Sequence, residues 1–138
     1  MALLNWTDNG FSLDLSIMDD THKEFIDLYA KLVSAGDDTF ASLFEELVSH
    51  TSSHFLNEDA LMEQSKFPAI AEHRADHQRV LNELKYFQEK VKNNKFSFAR
   101  FFIKDRIPSW FKQHLATMDS ALAYHLKTSD EHRVEVNS

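Results

Sequence analysis

The chain has 138 residues, enough for one ordinary domain that buries about two thirds of the surface its unfolded form exposes. It contains no cysteine, which excludes disulfides, thiolate metal sites, iron-sulfur clusters and thiol catalysis. Its formal net charge of -7 argues against nucleic-acid binding, because neutralising phosphate groups requires clustered Lys and Arg.

The amino terminus lacks the features of an export signal, and no apolar stretch approaches the roughly 20 residues that span a bilayer. We therefore expect a cytoplasmic protein with no membrane span. Glycine and proline occur only twice each, so tight turns are few. This composition favours a few long helices over many short strands.

Residues 1–17 are predicted to form an extended arm. Apolar and polar residues alternate towards its end, which is typical of an extended segment with one face against the domain. Trp6 is expected to anchor the arm. The alternating apolar residues are Phe11, Leu13, Leu15 and Ile17.

The first two helices have recognisable boundaries. Asp19 or Asp20 is expected to cap the first helix, which ends at the run of residues 35–38. Thr39 is expected to cap the second, which Phe67-Pro68 breaks. Their predicted inward residues are Met18, His22, Phe25, Ile26, Tyr29, Leu32 and Val33, then Phe40, Leu43, Leu47, His54, Glu58 and Leu61.

Pro68 is expected to open a third helix that runs to Lys92, because proline suits the first turn of a helix. A fourth segment covers about residues 97–127, and Pro108 predicts a kink or a short preceding helix within it. Residues 128–138 are polar and are predicted to fray. We predict an all-α, up-down-up-down antiparallel four-helix bundle over residues 18–127, so that residues 1–138 form a single domain.

Five histidines lie on the predicted inward faces and together involve all four helices. Burying polar groups without partners costs about 1 to 3 kcal/mol each, so something inside must satisfy them. A single inward histidine is more often a hydrogen-bonded core residue, but five together with two carboxylates favour a metal site in the bundle interior. The seven candidates are His22, His54, Glu58, His73, His77, His114 and Asp119.

Two pairs have the spacing expected of ligands. His54 and Glu58, like His73 and His77, are four residues apart and therefore lie one turn apart on one helix face. Asp119 does not fit this rule. It follows His114 by five residues, about 140° around an ideal helix, so it needs a local distortion or an approach from the flank.

These seven residues resemble the full ligand set of the hemerythrin family, in particular that of its bacterial single-domain members. The resemblance extends over residues 6–126 and includes further similar segments. Those segments are Trp6-Thr7-Asp8, Asp20-Thr21-His22-Lys23-Glu24, His54-Phe55-Leu56-Asn57-Glu58-Asp59, Met62, Phe67-Pro68 and Trp110-Phe111.

The resemblance implies a non-haem di-iron centre. One iron would be held by His73, His77 and His114, and the other by His22 and His54. By the same resemblance, the two irons would be bridged by a carboxylate pair and an oxo or hydroxo group, which leaves a position open on the iron with two histidines. The bridging carboxylates would be Glu58 and Asp119.

The function implied is reversible O2 binding, as a carrier, store or local supply, without enzymatic turnover. Nitric oxide or small anions are further possible ligands. The alternatives are a sensor of O2, redox state or nitric oxide that acts through a partner protein, and, with less support, a nitric oxide or peroxide reductase. We expect a monomer. Candidates to line the O2 pocket, whose other interpretation is core packing, are Phe55, Trp110, Phe111 and Leu115.

Several other residues are not predicted to be metal ligands. His50, one turn before His54, is expected to be a partly exposed polar residue, the alternatives being a hydrogen bond to a ligand or a water molecule held near the site. Phe111 stands where the family often has leucine, and the larger ring could narrow access to the pocket. A solvated face is predicted at Glu45, Glu46, Glu72 and Asp76, surface positions at His125 and His132, and core packing at Met62 and Met118.

Overall fold

The computed structural model describes Leu4 and residues 10–137, with side chains described through residue 128. Those residues form four helices and contain no strand. We label the helices α1 (Ser16–Ser34), α2 (Asp37–Gln64), α3 (Ile70–Lys92) and α4 (residues 96–137). The predicted all-α, antiparallel four-helix bundle is confirmed.

Helix α4 is irregular. Its α-helical stretches are Phe96–Phe101, Ile107–His114 and Ser120–Asn137, and two π turns separate them, Phe102–Arg106 and Leu115–Asp119. The first π turn lies just before Pro108. In a regular helix the proline ring would crowd the carbonyl of Lys104, and a wider turn relieves that clash. The short helix predicted before Pro108 is therefore confirmed.

Short links keep neighbouring helices antiparallel. Lys66 and Asn94 adopt left-handed conformations with φ of 58° and 61°, which end α2 and α3 sharply. The following amide groups donate back into the helices, from Phe67 to the Met62 carbonyl and from Lys95 to the Lys90 carbonyl, both at 2.9 Å. Residues 35–36 complete the short links between the helices.

The amino-terminal predictions need correction. Helix α1 begins at Ser16, earlier than predicted, so Ile17 lies on the helix surface and is 56% exposed. Neither predicted aspartate caps the helix. Asp19 instead accepts hydrogen bonds from the Leu13 amide and the Ser12 hydroxyl, both at 2.9 Å, and so ties the preceding segment to α1. Trp6, the predicted anchor of the arm, lies outside the described residues.

Three other boundaries differ from prediction. Gly36, not Thr39, is the residue that precedes the first turn of α2. Helix α3 begins at Ile70 because Pro68 belongs to the turn, in which the Ile70 amide donates to the Phe67 carbonyl at 3.3 Å. Helix α4 continues to Asn137 rather than fraying after residue 127.

The buried side chains form two clusters, and the predicted ligands lie between them. The larger cluster includes Phe25, Phe55, Val80 and Leu115. The smaller one contains Met18, Met62, Phe67, Leu122, Ala123 and Leu126, so the core role predicted for Met62 is confirmed. Over the described residues, no helix combines the length and apolar character that crossing a membrane requires.

Candidate metal centre

The seven predicted ligands converge inside the bundle. Each is buried, with exposed fractions from 0% at His22 to 8% at His54. Every helix contributes at least one of them. Because they face the same interior space from four directions, their nitrogen and oxygen atoms can surround a cation. The residues in helix order are His22 on α1, His54 and Glu58 on α2, His73 and His77 on α3, and His114 and Asp119 on α4.

The ligand atoms divide into two groups that share Glu58. Within each group, one nitrogen or oxygen atom from each residue lies within 4.8 Å of all the others. Two cations could therefore be held side by side with Glu58 common to both. The larger group is Glu58, His73, His77, His114 and Asp119, and the smaller group is His22, His54 and Glu58.

The Glu58 carboxylate faces both histidine groups, one with each oxygen. Its Oε1 lies 3.1 Å from His77 Nε2 and 3.3 Å from His73 Nε2. Its Oε2 lies 2.6 Å from His54 Nε2 and 3.7 Å from His22 Nε2. This is the arrangement expected of a carboxylate that bridges two metal ions.

Asp119 divides its oxygens in the same way. Its Oδ1 lies 3.1 Å from the Nε2 atoms of both His73 and His114, and its Oδ2 lies 3.1 Å from His22 Nε2. The two carboxylates therefore straddle the same pair of positions from opposite helices, α2 and α4.

The second π turn explains how Asp119 reaches the site. Five residues after His114, it would be rotated well away from the interior on a regular helix. Residues 115–119 instead form a π turn, closed by the Ser120 amide donating to the Leu115 carbonyl. In this wider turn a five-residue step brings a side chain back to the same face. The local distortion predicted for Asp119 is confirmed.

The donor set fits a pair of metal ions. Although carboxylate oxygens lie nearby, no hydrogen bond of normal geometry reaches the buried Nε2 atoms of His22, His73, His77 and His114. One oxygen of Glu58 and one of Asp119 share this property. Leaving such groups unsatisfied is costly, and a cation between them would satisfy them together. Imidazole and carboxylate ligands without thiolate suit iron and several other divalent metals.

The protein without metal holds opposite charges in this cluster. Burial by itself would lower the pKa of His22, but Asp119 and Glu58 outweigh it and raise the pKa from 6.5 to about 9. Burial opposes ionisation of Glu58 as well, yet the surrounding histidines hold its pKa well below the usual range. When the metal is absent, protonated His22 therefore supplies positive charge beside the two carboxylates.

We predict that metal binding displaces this proton. In the metal-free protein the pKa of His22 is raised, so its protonation stabilises the fold fully below pH 6.5, and that stabilisation is lost as the pH rises through about 9. Because a ligating histidine must be neutral, metal uptake at pH 7 should release the proton of His22, and His73, whose pKa the same carboxylates raise, should add to the release. Calorimetric titration in buffers of different ionisation enthalpy measures this release. Proton uptake, or none, would contradict the prediction.

Two aspartates outside the ligand set contact the ligands. Asp76, predicted on a solvated face, is only 4% exposed, which corrects that prediction. It accepts hydrogen bonds from His114 Nδ1 at 2.6 Å and Trp110 Nε1 at 2.9 Å. Asp59 lies 3.2 Å from His77 Nδ1. The sequence does contain a signal for the inward position of Asp76, because this residue follows His73 by three residues and so lies on the same helix face.

The other two histidines with described side chains, His50 and His125, do not join the site. His50 Nε2 lies 3.2 Å from a carboxylate oxygen of Glu24, and the side chain is 21% exposed. The prediction of a partly exposed polar residue is confirmed. His125 is half-buried rather than at the surface, because its Nε2 donates to the Ser65 carbonyl at 2.7 Å and its ring packs on Phe67. The His132 side chain lies outside the described residues.

Aromatic rings pack directly on the ligand histidines. Phe55 stacks on His77 with ring centroids 3.9 Å apart, and Trp110 stacks on His114 at 4.9 Å. Phe111 and His22 pack edge to face, with ring centroids 5.8 Å apart. These three residues and Leu115, the fourth pocket candidate, are buried and belong to the larger hydrophobic cluster.

A surface cavity reaches the cluster from the side of the smaller hydrophobic cluster. It has a volume of about 290 Å³ and is lined by His54 and Glu58 together with residues such as Met18, Thr21 and Leu61. Phe55 and Trp110 line two other cavities, of about 500 Å³ and 90 Å³. The aromatic residues therefore lie on one side of the metal positions, and the first cavity reaches His54 from another side.

The comparisons with known proteins agree with this geometry. The family model for the hemerythrin HHE cation binding domain matches residues 13–131. The bacteriohemerythrin of Aquifex aeolicus is 31% identical, over 79% of this chain and 87% of its own. Hemerythrin subunit 2 of Golfingia vulgaris is also 31% identical, over 81% of this chain and 84% of its own.

A further relative and a solved structure extend the comparison. The bacteriohemerythrin of Ralstonia nicotianae is 28% identical, over 86% of this chain and 85% of its own. The crystal structure of a wild-type hemerythrin has the same fold, with a TM-score of 0.81 at 21% identity, covering 91% of this chain and 98% of that one. With the family model matched over most of its length, the chain belongs to the hemerythrin family.

Proposed function

We propose that this protein binds O2 reversibly at a non-haem di-iron centre, as an oxygen carrier, store or local supply. The observation that carries the proposal is the placement of Glu58 and Asp119, each of which turns one oxygen towards each of two histidine groups. When bound there, two ferrous ions would supply the electrons that reversible O2 binding requires. Relatives named hemerythrin and bacteriohemerythrin support the same function.

The composition of the ligand set favours reversible binding over oxidation chemistry. Ferritin-like di-iron proteins hold their metals with four carboxylates and two histidines. The proposed set here has five imidazoles and two carboxylates, and so supplies less negative charge to stabilise highly oxidised iron. Cleavage of O2 is correspondingly less favoured. The ligands of the proposed centre are His22, His54, Glu58, His73, His77, His114 and Asp119.

The side chains around the ligands would keep the site dry. Phe55, Trp110 and Phe111 pack against three different ligand histidines, and Leu115 is 5% exposed beside them. Apolar walls exclude water and anions that would otherwise compete for a vacant metal position. We propose these four residues as the lining of the O2 pocket, a role that is compatible with their packing in the core.

The position of His50 weakens the enzymatic alternative. A nitric oxide or peroxide reductase would need a general acid or base near the metals, and His50 lies one turn before the proposed ligand His54. Its Nε2 contacts Glu24 on the outer side of the bundle, and its ring centroid lies 6.3 Å from that of His54. We propose that the protein is not an enzyme. The sensor alternative has no specific observation in its favour.

The family match over residues 13–131 supports our proposal that the chain forms a single domain. We further propose that this domain binds O2 as a monomer in the cytoplasm. Its seven proposed ligands all come from one chain, so the site needs no second subunit to complete it.

Repeated oxygenation tests the proposed function. The protein is reduced anaerobically with two irons per chain, exposed to air and then evacuated, while its visible spectrum is recorded. We expect an absorption band to appear in air and to disappear under vacuum over several cycles, because binding is reversible. A single conversion to the diferric form with release of peroxide would instead indicate an enzyme or a sensor.

A further inference from the structure

The ligand histidines differ in the hydrogen-bond partners of their outer nitrogens, the Nδ1 atoms, which face away from the metal positions; their Nε2 atoms are the inner nitrogens. We infer that Asp76 and Asp59 make the position formed by His73, His77 and His114 the tighter of the two metal positions, so that the first metal ion to bind occupies it. This three-histidine position then fills before the position of His22 and His54. The inference rests on the proposed di-iron site and adds an order of assembly to it.

Asp76 connects helix α3 to the ligand histidine of α4. One of its oxygens, Oδ2, accepts hydrogen bonds from His114 Nδ1 at 2.6 Å and from Trp110 Nε1 at 2.9 Å. The other, Oδ1, accepts from the guanidinium of Arg79. The proton of the neutral His114 ring is thereby placed on Nδ1, and Nε2 presents its lone pair towards Asp119, 3.1 Å away.

Asp59 has the same relation to the second histidine of the group. Its Oδ1 lies 3.2 Å from His77 Nδ1, on the side of the ring away from the metal positions. The inner nitrogen, Nε2, lies 3.1 Å from Glu58 Oε1. Asp59 is more accessible than Asp76, with 23% of its side chain exposed against 5%, so its electrostatic effect is more strongly screened by solvent.

The other metal position lacks such support among the described residues. His22 Nδ1 is buried without a hydrogen-bond partner. The carboxylate in contact with His54 is Glu58, which meets the inner nitrogen and is itself a proposed ligand. His73 Nδ1 also has no hydrogen-bond partner. An outer carboxylate therefore supports two of the three histidines at one metal position, His77 and His114, and neither of the two histidines at the other.

Outer carboxylates strengthen metal binding in two ways. They fix the ring in the tautomer and orientation that the metal needs, and they make the inner nitrogen a better electron donor. Removing such a partner typically lowers metal affinity by about 10- to 100-fold. The third histidine also favours this position, so a test must remove the carboxylates while it retains all seven ligands.

Titration of the metal-free protein with Co(II) provides that test, because Co(II) reports occupancy and coordination in its visible spectrum. In the unsubstituted protein we expect two resolved binding steps. In Asp76→Asn we expect the first step to weaken by about 10- to 100-fold while the second changes by less than about threefold. Asp59→Asn should act on the same step with a smaller effect, because Asp59 lies farther from its histidine and is more exposed.

Asp105→Asn is the matched control, since it removes an exposed aspartate from α4 and should leave both steps unchanged. The melting temperatures of the metal-free variants show whether a substitution destabilises the whole fold or acts only at the metal site. A merely structural role for Asp76 would weaken both steps together, and that result would overturn the inference. A single step with two Co(II) bound in the unsubstituted protein, or an unaltered first step in Asp76→Asn, would also overturn it.

The proposed function can survive those results. If the steps are indistinguishable but the iron protein still holds two ions and cycles reversibly with O2, only the order of assembly is wrong. Failure to bind two metal ions would remove the basis for both.

Discussion

We expect that replacing Glu58 with glutamine reduces the number of iron ions that the protein binds from two to at most one. The glutamate oxygens face both histidine groups, and Glu58 belongs to each of the two sets of candidate ligands. Glutamine has nearly the same shape, but it replaces one oxygen with an amide nitrogen that cannot ligate a metal, and it removes the negative charge. Reversible O2 binding should be lost with the second ion.

Metal analysis after dialysis measures this outcome, with the oxygenation spectrum as a second measurement. Glu63→Gln is the matched control, because it makes the same chemical change on the exposed face of α2 five positions farther along. The control should retain two irons. A Glu58→Gln protein that also retains two irons and its oxygenation band would show that Glu58 does not bridge them.

We expect removal of the metals to lower the melting temperature by roughly 10 to 20 °C. In the metal-free protein the Nε2 atoms of four histidines are buried, and each lies 3.1 Å from a carboxylate oxygen of Glu58 or Asp119, so two carboxylates alone must offset the burial of four imidazoles. A ligand that binds only the folded state stabilises it by about 4 kcal/mol when its concentration is 1,000 times its dissociation constant. For a domain of this size that free energy corresponds to a shift of the stated magnitude.

Scanning calorimetry at neutral pH, with and without prior chelation, measures the shift. The same treatment of Glu58→Gln should change the melting temperature much less, because that variant starts with fewer bound ions. Coincident melting curves for the loaded and the chelated protein would contradict a structural contribution from the metals.

The inward face of each helix was predictable from sequence because it follows from helical periodicity. His54 with Glu58, and His73 with His77, repeat at four residues, and the structure places all four side chains in one buried cluster. The role of Asp119 was not derivable from regular spacing. It depends on a π turn, in which the five-residue step from His114 returns the side chain to the interior.

The missed features depend on contacts between distant segments. A charged residue such as Asp76 is usually exposed, and only its hydrogen bonds to Trp110 and His114 on another helix make its burial favourable. The beginning of α1 was misplaced for a similar reason. Asp19 resembles a helix cap in sequence, whereas in the fold it binds the segment that precedes the helix.

The π turn at residues 115–119 also bears on how the length of this protein can change during evolution. A deletion inside a regular helix rotates everything beyond it by about 100°, which would turn Leu122 and Leu126 out of the core. Here the turn already holds one residue more than an α-helix would. Loss of an exposed residue such as Ala116 would restore regular winding, with Asp119 and the apolar residues after it still facing inward. This turn is therefore a place where the fourth helix can lose a single residue without turning its apolar face out of the core.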